Sequence, residues 1–361
     1  MSTDDQPTPG SATGTDQPTA DDTDAPASTG RGKKVALISA IVGLVLIGLI
    51  GVFAFTPLLD GDLSSHPQGA PTTSQAAPLK SRLLAKDGPD INPMCTSIVI
   101  DSGRKEARSV VLLHGFTSCP AQWATVAKAY AAQGYNVVVP RLPGHGYSDR
   151  LTNTPSDVSP QQLADATDEA IDLAAALGDR VSVVGLSAGG SLAAWAAAHR
   201  NDVAEADVIA PLMLPKVLPE FGVAPVSRIT RYIPDFYLWW DGAQKEKLAT
   251  PPYAYPRYSL RALGAFLALG RNAQRDVTRT TPLQRLLVIT NENDGAVSNT
   301  PLNGFEDAMR PVTKQIDVYE FPSSEQIKHD IITIDGENAA DIKAIYVKLA
   351  SLLNLPNLAN Y

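Results

Sequence analysis

Residues 181–189 read VSVVGLSAG. The strand-forming run VSVV leads into Gly185-Leu186-Ser187-Ala188-Gly189, and the Ala-rich stretch 188–200 that follows has the composition of a helix. Strand, sharp turn and helix in that order give G-x-S-x-G its chemical meaning, because the two glycines leave room for the turn and hold the serine up at the edge of a sheet. The start of the following helix also lends partial positive charge to an anion developing beside Ser187. A strand–helix connection that merely packs well would use the same glycines. Ser187 is therefore a candidate nucleophile whose worth depends on finding a base and an acid for it.

Outward from this turn, short apolar runs alternate with helix candidates. The runs are 96–101, 109–114, 135–140, 180–185, 206–211, 285–290 and 315–321, and the helix candidates are 120–133, 160–177, 188–200, 300–310 and 337–353. Near-continuous apolar strands separated by helices predict an α/β fold with a mostly parallel sheet covered on both faces. The alternation breaks between 212 and 281, a Pro- and aromatic-rich stretch that reads as an insertion.

Five histidines are available to act as a base. His66 lies in a Pro/Ser/Thr-rich stretch, and His199 stands 12 residues along the helix from Ser187, about 18 Å by helical rise. His114 and His145 sit in the loops HGF and PGHG, which have other tasks. His329 remains, in a loop after the run 315–321, where a strand end on the active edge would place a base. The acid is expected between Ser187 and His329 at another strand end: Asp294 in the loop NENDGAVS, with Glu292 of the same loop as second choice. The loop at His114-Gly115-Phe116 can aim the N–H of Phe116 at the reaction centre, and the N–H of Ala188 supplies a second donor.

The whole chain has 361 residues, 44% of them hydrophobic, and a net charge of −8. Wholesale disorder is excluded, and a phosphate-neutralising nucleic-acid binder is disfavoured. Residues 1–34 are polar, with six Asp against Arg31, Lys33 and Lys34, and read as a disordered tail. Residues 35–55 carry no charge and, as a helix, would match the hydrocarbon thickness of a bilayer. A cleaved signal peptide fits less well, because the run is too long and no A-x-A pattern follows it. Cations before the span and Asp60 and Asp62 after it predict a cytoplasmic N-terminus and an extracytoplasmic remainder. Residues 56–90 read as a flexible tether, and 91–361 as the globular domain. H-E-x-x-H, Walker and G-x-G-x-x-G motifs are absent, so no metal and no organic cofactor is implied.

HGF, PGHG, GLSAG, Asp294 and His329, in that order, resemble the α/β-hydrolase superfamily, above all its carboxylesterases and monoacylglycerol-lipase-like members. The resemblance covers about 92–361. It implies an α/β-hydrolase fold, with Ser187 as nucleophile, Asp294 as acid, His329 as base, an oxyanion hole from the backbone of Phe116 and Ala188, and a cap within 212–281. Ser118 and Lys328 stand where the family often has Gly, which leaves loop shape and specificity open. The function expected is a membrane-anchored serine hydrolase of lipid-like esters. Acyl transfer by the same triad, or a degenerate hydrolase serving as an anchored binding module, are the alternatives. Cys95 and Cys119 suit an exported domain. If the run 96–101 lies antiparallel to its neighbours, its start shares a sheet edge with Cys119 and a disulfide becomes possible.

Overall fold

The computed structural model describes residues 29–56, 63–69, 71–247 and 251–361; the tail predicted over 1–28 lies outside them. The chain divides into two compact units, Met1–Gly51 and Val52–Tyr361.

Helix α1, Thr29–Phe55, contains the whole stretch predicted to span a membrane. Several of its side chains lie outside the described residues, and among the described residues no helix is long and apolar enough to cross a membrane.

The second unit is a seven-stranded sheet. Its strands are β1 (Ile98–Ile100), β2 (Glu106–Leu113), β3 (Asn136–Val139), β4 (Gly178–Leu186), β5 (Val203–Ile209), β8 (Arg285–Asn291) and β9 (Ile316–Phe321), in the order β1-β3-β2-β4-β5-β8-β9. Only β1 runs antiparallel, pairing Ile98 with Val139. The seven predicted apolar runs all fall on these strands. Consecutive buried residues such as Val183 and Val184, or Val288 and Ile289, show why: both faces of the sheet are covered, so the strands alternate little. Helices α3 (Ala124–Ala132), α4 (Pro160–Leu177), α5 (Ala188–His199), α8 (Leu302–Met309) and α9 (Ile342–Leu352) lie within the predicted stretches. Helix α4 starts on a capping box, with Ser159 Oγ accepting from Gln162 N–H and the Gln162 side chain returning to Ser159.

The chain moves from β2 outward to β3, then returns to β4 on the other side of β2. Register pairs Leu113 with Gly185 and Leu186 with Ile209, so β2, β4 and β5 end together and open a crevice at the switch point.

Two expectations need correction. The stretch 56–90 is not a tether throughout. Leu63 and, on helix α2 (Ala76–Leu84), Leu79 and Leu83 are buried in the main core of the domain. Ser65 Oγ donates to Asp168 of α4 at 2.8 Å, and Gln68 N–H donates to Asp172 at 3.0 Å. The polar composition hides an i, i+4 pair of leucines, which is enough to dock one short helix. The insertion expected over 212–281 is also shorter. Its end, helix α7 (Leu260–Arg275), lies against α5 with Phe266 and Leu269 buried, and belongs to the helical layer. The insertion proper contains α6 (Glu220–Ile229) and an antiparallel pair, β6 (Tyr237–Trp239) and β7 (Arg257–Ser259).

Cys95 and Cys119 are joined as a disulfide across 24 residues. Closing a loop of that size stabilises a fold by about 3 kcal/mol in chain-entropy terms.

Candidate active site

Helix α5 can start where it does because three backbones meet there without side chains. A Cβ on Gly185 would stand 2.0 Å from Gly189 O, and one on Gly189 would stand 1.9 Å from Leu113 O. The glycines thus let α5 sit hard against β2 and β4. Ser187, between them, takes φ 59° and ψ −118°, a left-handed conformation that costs a non-glycine residue about 1–3 kcal/mol. Hydrogen bonds hold it there: its N–H donates to Ile209 O at 2.9 Å, and its C=O accepts from Leu212 N–H at 2.9 Å. Backbone pairing to β5 and to the segment just after it thus over-determines the strained conformation.

His329 and Asp294 come together from different strand ends. His329 Nδ1–H donates to Asp294 Oδ2 at 2.7 Å, while Asp294 Oδ1 accepts from the N–H groups of Ala296 (2.8 Å) and Val297 (2.9 Å). Burial works to raise the Asp294 pKa, yet the hydrogen bond and charge of His329 and these two amides hold it below the usual carboxylate value. Burial works to lower that of His329, but Asp294, aided by Asp330 and Glu337, holds it above the usual imidazole value. With Nδ1 committed to Asp294, Nε2 is the free ring nitrogen.

Ser187 and His329 line one cavity of about 580 Å³, together with Phe116, Leu212, Val217, Trp239, Trp240 and Tyr258. Among the described residues no hydrogen bond joins Ser187 Oγ to the imidazole ring. The hydrogen bonds of a catalytic constellation often tighten only with substrate bound. Glu292, the second choice for the acid, instead accepts from Ser323 N–H at 2.7 Å.

The other four histidines are occupied elsewhere. His114 donates from Nδ1 to Gly115 O and accepts Leu142 N–H at Nε2, and burial pushes its pKa well down. His145 contacts Pro143 O through Nδ1, and burial takes its pKa down to about 4. His199 sits between Thr278 and Asn272, and His66 beside Asp165.

Phe116 lines the same cavity as Ser187, and a Cβ on the preceding Gly115 would stand 3.6 Å from that of Ser187. Ala188 is the first residue of α5, so its N–H has no acceptor within the helix. Among the described residues no acceptor takes the N–H of Phe116. The Phe116 ring is wedged among His145, Trp240, Tyr258 and Phe266, at centroid distances of 5.3–6.2 Å. Thr117, next in the loop, has φ 61° and is gripped by the insertion: Trp240 Nε1–H donates to its Oγ1 at 2.9 Å and Tyr255 N–H to its carbonyl at 2.8 Å. Sequence reasoning found neither this grip nor Gln122 and Asn338, which brace the loops around the cavity. Isolated amide and indole side chains leave no pattern in the chain.

The sequence profile of the alpha/beta hydrolase family matches residues 110–323, more than half of the chain. A thermostable monoacylglycerol lipase of Bacillus sp. (strain H-257) is 36% identical over 96 residues, which are 26% of this chain and 36% of that protein. The matched stretch is thus only about a third of the relative's length. Among solved structures, a study of the metagenome-derived lipolytic enzymes LipS and LipT supplies a match at TM-score 0.56 and 21% identity, covering 73% of this chain and 99% of the other. A soluble variant of monoglyceride lipase from Saccharomyces cerevisiae matches at TM-score 0.52 and 13% identity, covering 69% and 87%. At these identities the two structures speak for the fold.

Proposed function

The chain belongs to the α/β-hydrolase family, and on that premise we propose that it is a serine hydrolase that cleaves neutral carboxylic esters through an acyl-enzyme. Ser187 Oγ attacks the ester carbonyl, His329 Nε2 takes its proton, and Asp294 stabilises the imidazolium that forms. The N–H groups of Phe116 and Ala188 receive the charge on the tetrahedral oxygen. The leaving alcohol takes the proton from His329, and water, activated by the same ring, releases the acid. One observation carries the reading: the Asp294–His329 pair opens onto the cavity that also holds Ser187 in its strained turn.

The substrate class rests on the walls. Leu186, Leu212, Val217, Trp239 and Tyr258 suit an acyl chain, and among the described residues lining the cavity there is no Lys or Arg to meet a phosphate. Names of relatives that include monoacylglycerol lipase agree with such esters.

Anchoring to a membrane through 35–55, with the catalytic unit outside the cytoplasm, completes the proposal. It is supported by the uncharged run itself, by Arg31, Lys33 and Lys34 before it, by the exposure of Leu37, Ile41, Leu44 and Ile47 around α1, and by the disulfide, which suits an oxidising compartment. The full chain is expected in the membrane fraction after alkaline carbonate washing.

Labelling with a fluorophosphonate probe tests the chemistry. The wild type is expected to label and to hydrolyse p-nitrophenyl butyrate, and Ser187→Ala to do neither. Equal labelling of the two proteins would refute the assignment.

A further inference from the structure

We infer that Gln122 is a positioning residue, fixing the loop that carries the Phe116 N–H against the loop that carries His329. This rests on the roles proposed above for those two groups, and adds a residue that joins them.

Gln122 lies on a short 3-10 turn, Pro120–Trp123, directly after the disulfide at Cys119, and is only 7% exposed. Its side-chain amide is used at both ends. Oε1 accepts the N–H of Gly115 at 2.7 Å, and Nε2 donates to Asp330 Oδ2 at 2.9 Å. The orientation of the amide is therefore decided, since a flipped group would set NH₂ against an N–H and an oxygen against a carboxylate. Gly115 immediately precedes Phe116, and Asp330 immediately follows His329.

Each anchor is itself firmly held. Gly115 O accepts from Ser118 N–H at 3.2 Å, closing the turn that sets the direction of the Phe116 N–H. The Asp330 carboxylate accepts from the N–H groups of Ile332 and Thr333 at 3.1 Å and from Thr333 Oγ1 at 2.6 Å. Asn338 Nδ2 donates to the carbonyls of Lys328 (3.0 Å) and Asp330 (2.8 Å), on either side of His329. Two stiff loops are thus connected across the cavity wall by one buried amide. The reaction needs the anion-stabilising N–H and the imidazole Nε2 at a fixed separation around Ser187. An error of about 1 Å there reduces turnover by about 100-fold.

The test exchanges donor and acceptor, using the full chain in detergent with p-nitrophenyl butyrate at pH 8. Gln122→Glu keeps an acceptor for Gly115 but sets a carboxylate against Asp330. Asp330→Asn sets NH₂ against NH₂. The double variant Gln122→Glu/Asp330→Asn restores the bridge with its polarity reversed, the amide introduced at position 330 donating to the carboxylate introduced at position 122. Each single change is expected to lower kcat about 10- to 100-fold with KM moved less than about threefold, and the double to return to within about fivefold of wild type. Single variants with wild-type kcat overturn the inference. So does a double variant that recovers its melting temperature but not kcat, which is how a bridge of purely structural importance would behave. A wild type that neither labels at Ser187 nor hydrolyses the ester overturns the functional reading and this inference together, whereas an active wild type with the wrong variant pattern overturns this one alone.

Discussion

The turn around Ser187 and the insertion above it face the same cavity but are built on opposite plans. At the turn, position is set by backbone: Gly185 and Gly189 let main chains touch, and the N–H and C=O of Ser187 are paired to neighbouring segments. In the insertion, position is set by aromatic side chains that are half in solvent, with Trp240 47% and Phe236 55% exposed. Trp240 packs against Tyr258 with ring centroids 4.4 Å apart and planes tilted by 40°, and hangs on Thr117 by one indole hydrogen bond. A backbone-defined site tolerates almost no change, whereas a side-chain-defined one can shift by an ångström without unfolding anything. On the proposed chemistry, the first plan suits the step where charge develops, and the second suits a wall that admits acyl chains of different shape.

The contrast breaks most visibly at the glycines. Gly189→Ala puts a methyl group 1.9 Å from Leu113 O and 2.8 Å from His114 O. Neither carbonyl can retreat, because both belong to the strand end and loop that shape the site. A loss of at least about 3 kcal/mol in urea unfolding is expected, with no fluorophosphonate labelling. In the insertion, a Cβ on Gly242 would meet only the tip of Lys245 at 4.0 Å, so Gly242→Ala is expected to stay within about 0.5 kcal/mol of wild type. Equal stability of the two variants would erase the distinction.

The same difference explains what the chain discloses before folding. The turn is legible because close packing demands particular residues at fixed spacing: two glycines and a serine after a strand admit few alternatives. His329 emerges by elimination among five histidines, and the structure gives the other four hydrogen-bond partners of their own. Strands β2, β4 and β8 stand out because doubly covered strands need nearly continuous apolar runs. The end of the insertion is misplaced because α7, although amphipathic, follows a Pro-rich stretch and its partner α5 lies far off in sequence. The docking of α2 is hidden because Leu79 and Leu83 are diluted among polar residues. Trp240 on Thr117 and Gln122 between two loops are contacts of the folded state alone, and any of several side chains could serve at either place.

Between these extremes lies the pair Asp294–His329, one side chain on another but both braced by backbone. Asp294→Asn keeps the shape and removes the charge, so Nδ1 loses its anionic acceptor. Turnover is expected to fall about 10³- to 10⁴-fold, as for the same change in other triads. The sign of the pH effect follows from the shifts. In the proposed mechanism His329 acts as a base only when neutral, and Asp294 holds its pKa above the usual imidazole value, so wild-type activity is expected to fall as the pH drops through that raised value. Without the carboxylate, burial dominates and the acid limb of kcat/KM moves to lower pH. An unmoved limb would mean that another group sets it.

The smallest effect is expected where the insertion meets the site. Trp240→Phe keeps a ring beside Phe116 and Tyr258 but deletes the N–H that reaches Thr117 Oγ1. Thr117 Oγ1 still donates to Phe116 O at 2.6 Å, and Tyr255 N–H still holds the Thr117 carbonyl. Thr117 therefore loses one of its three hydrogen bonds, worth a net of about 0.5–1.5 kcal/mol. If that tie only steadies the wall, kcat/KM for a medium-chain ester should fall about two- to tenfold, mostly through KM, with stability in urea lowered by no more than about 1.5 kcal/mol. A loss approaching that of Asp294→Asn would place Trp240 among the groups that set the transition state, and the insertion would then be as closely defined as the turn beneath it. No change at all would mean that the wall is held by ring packing alone.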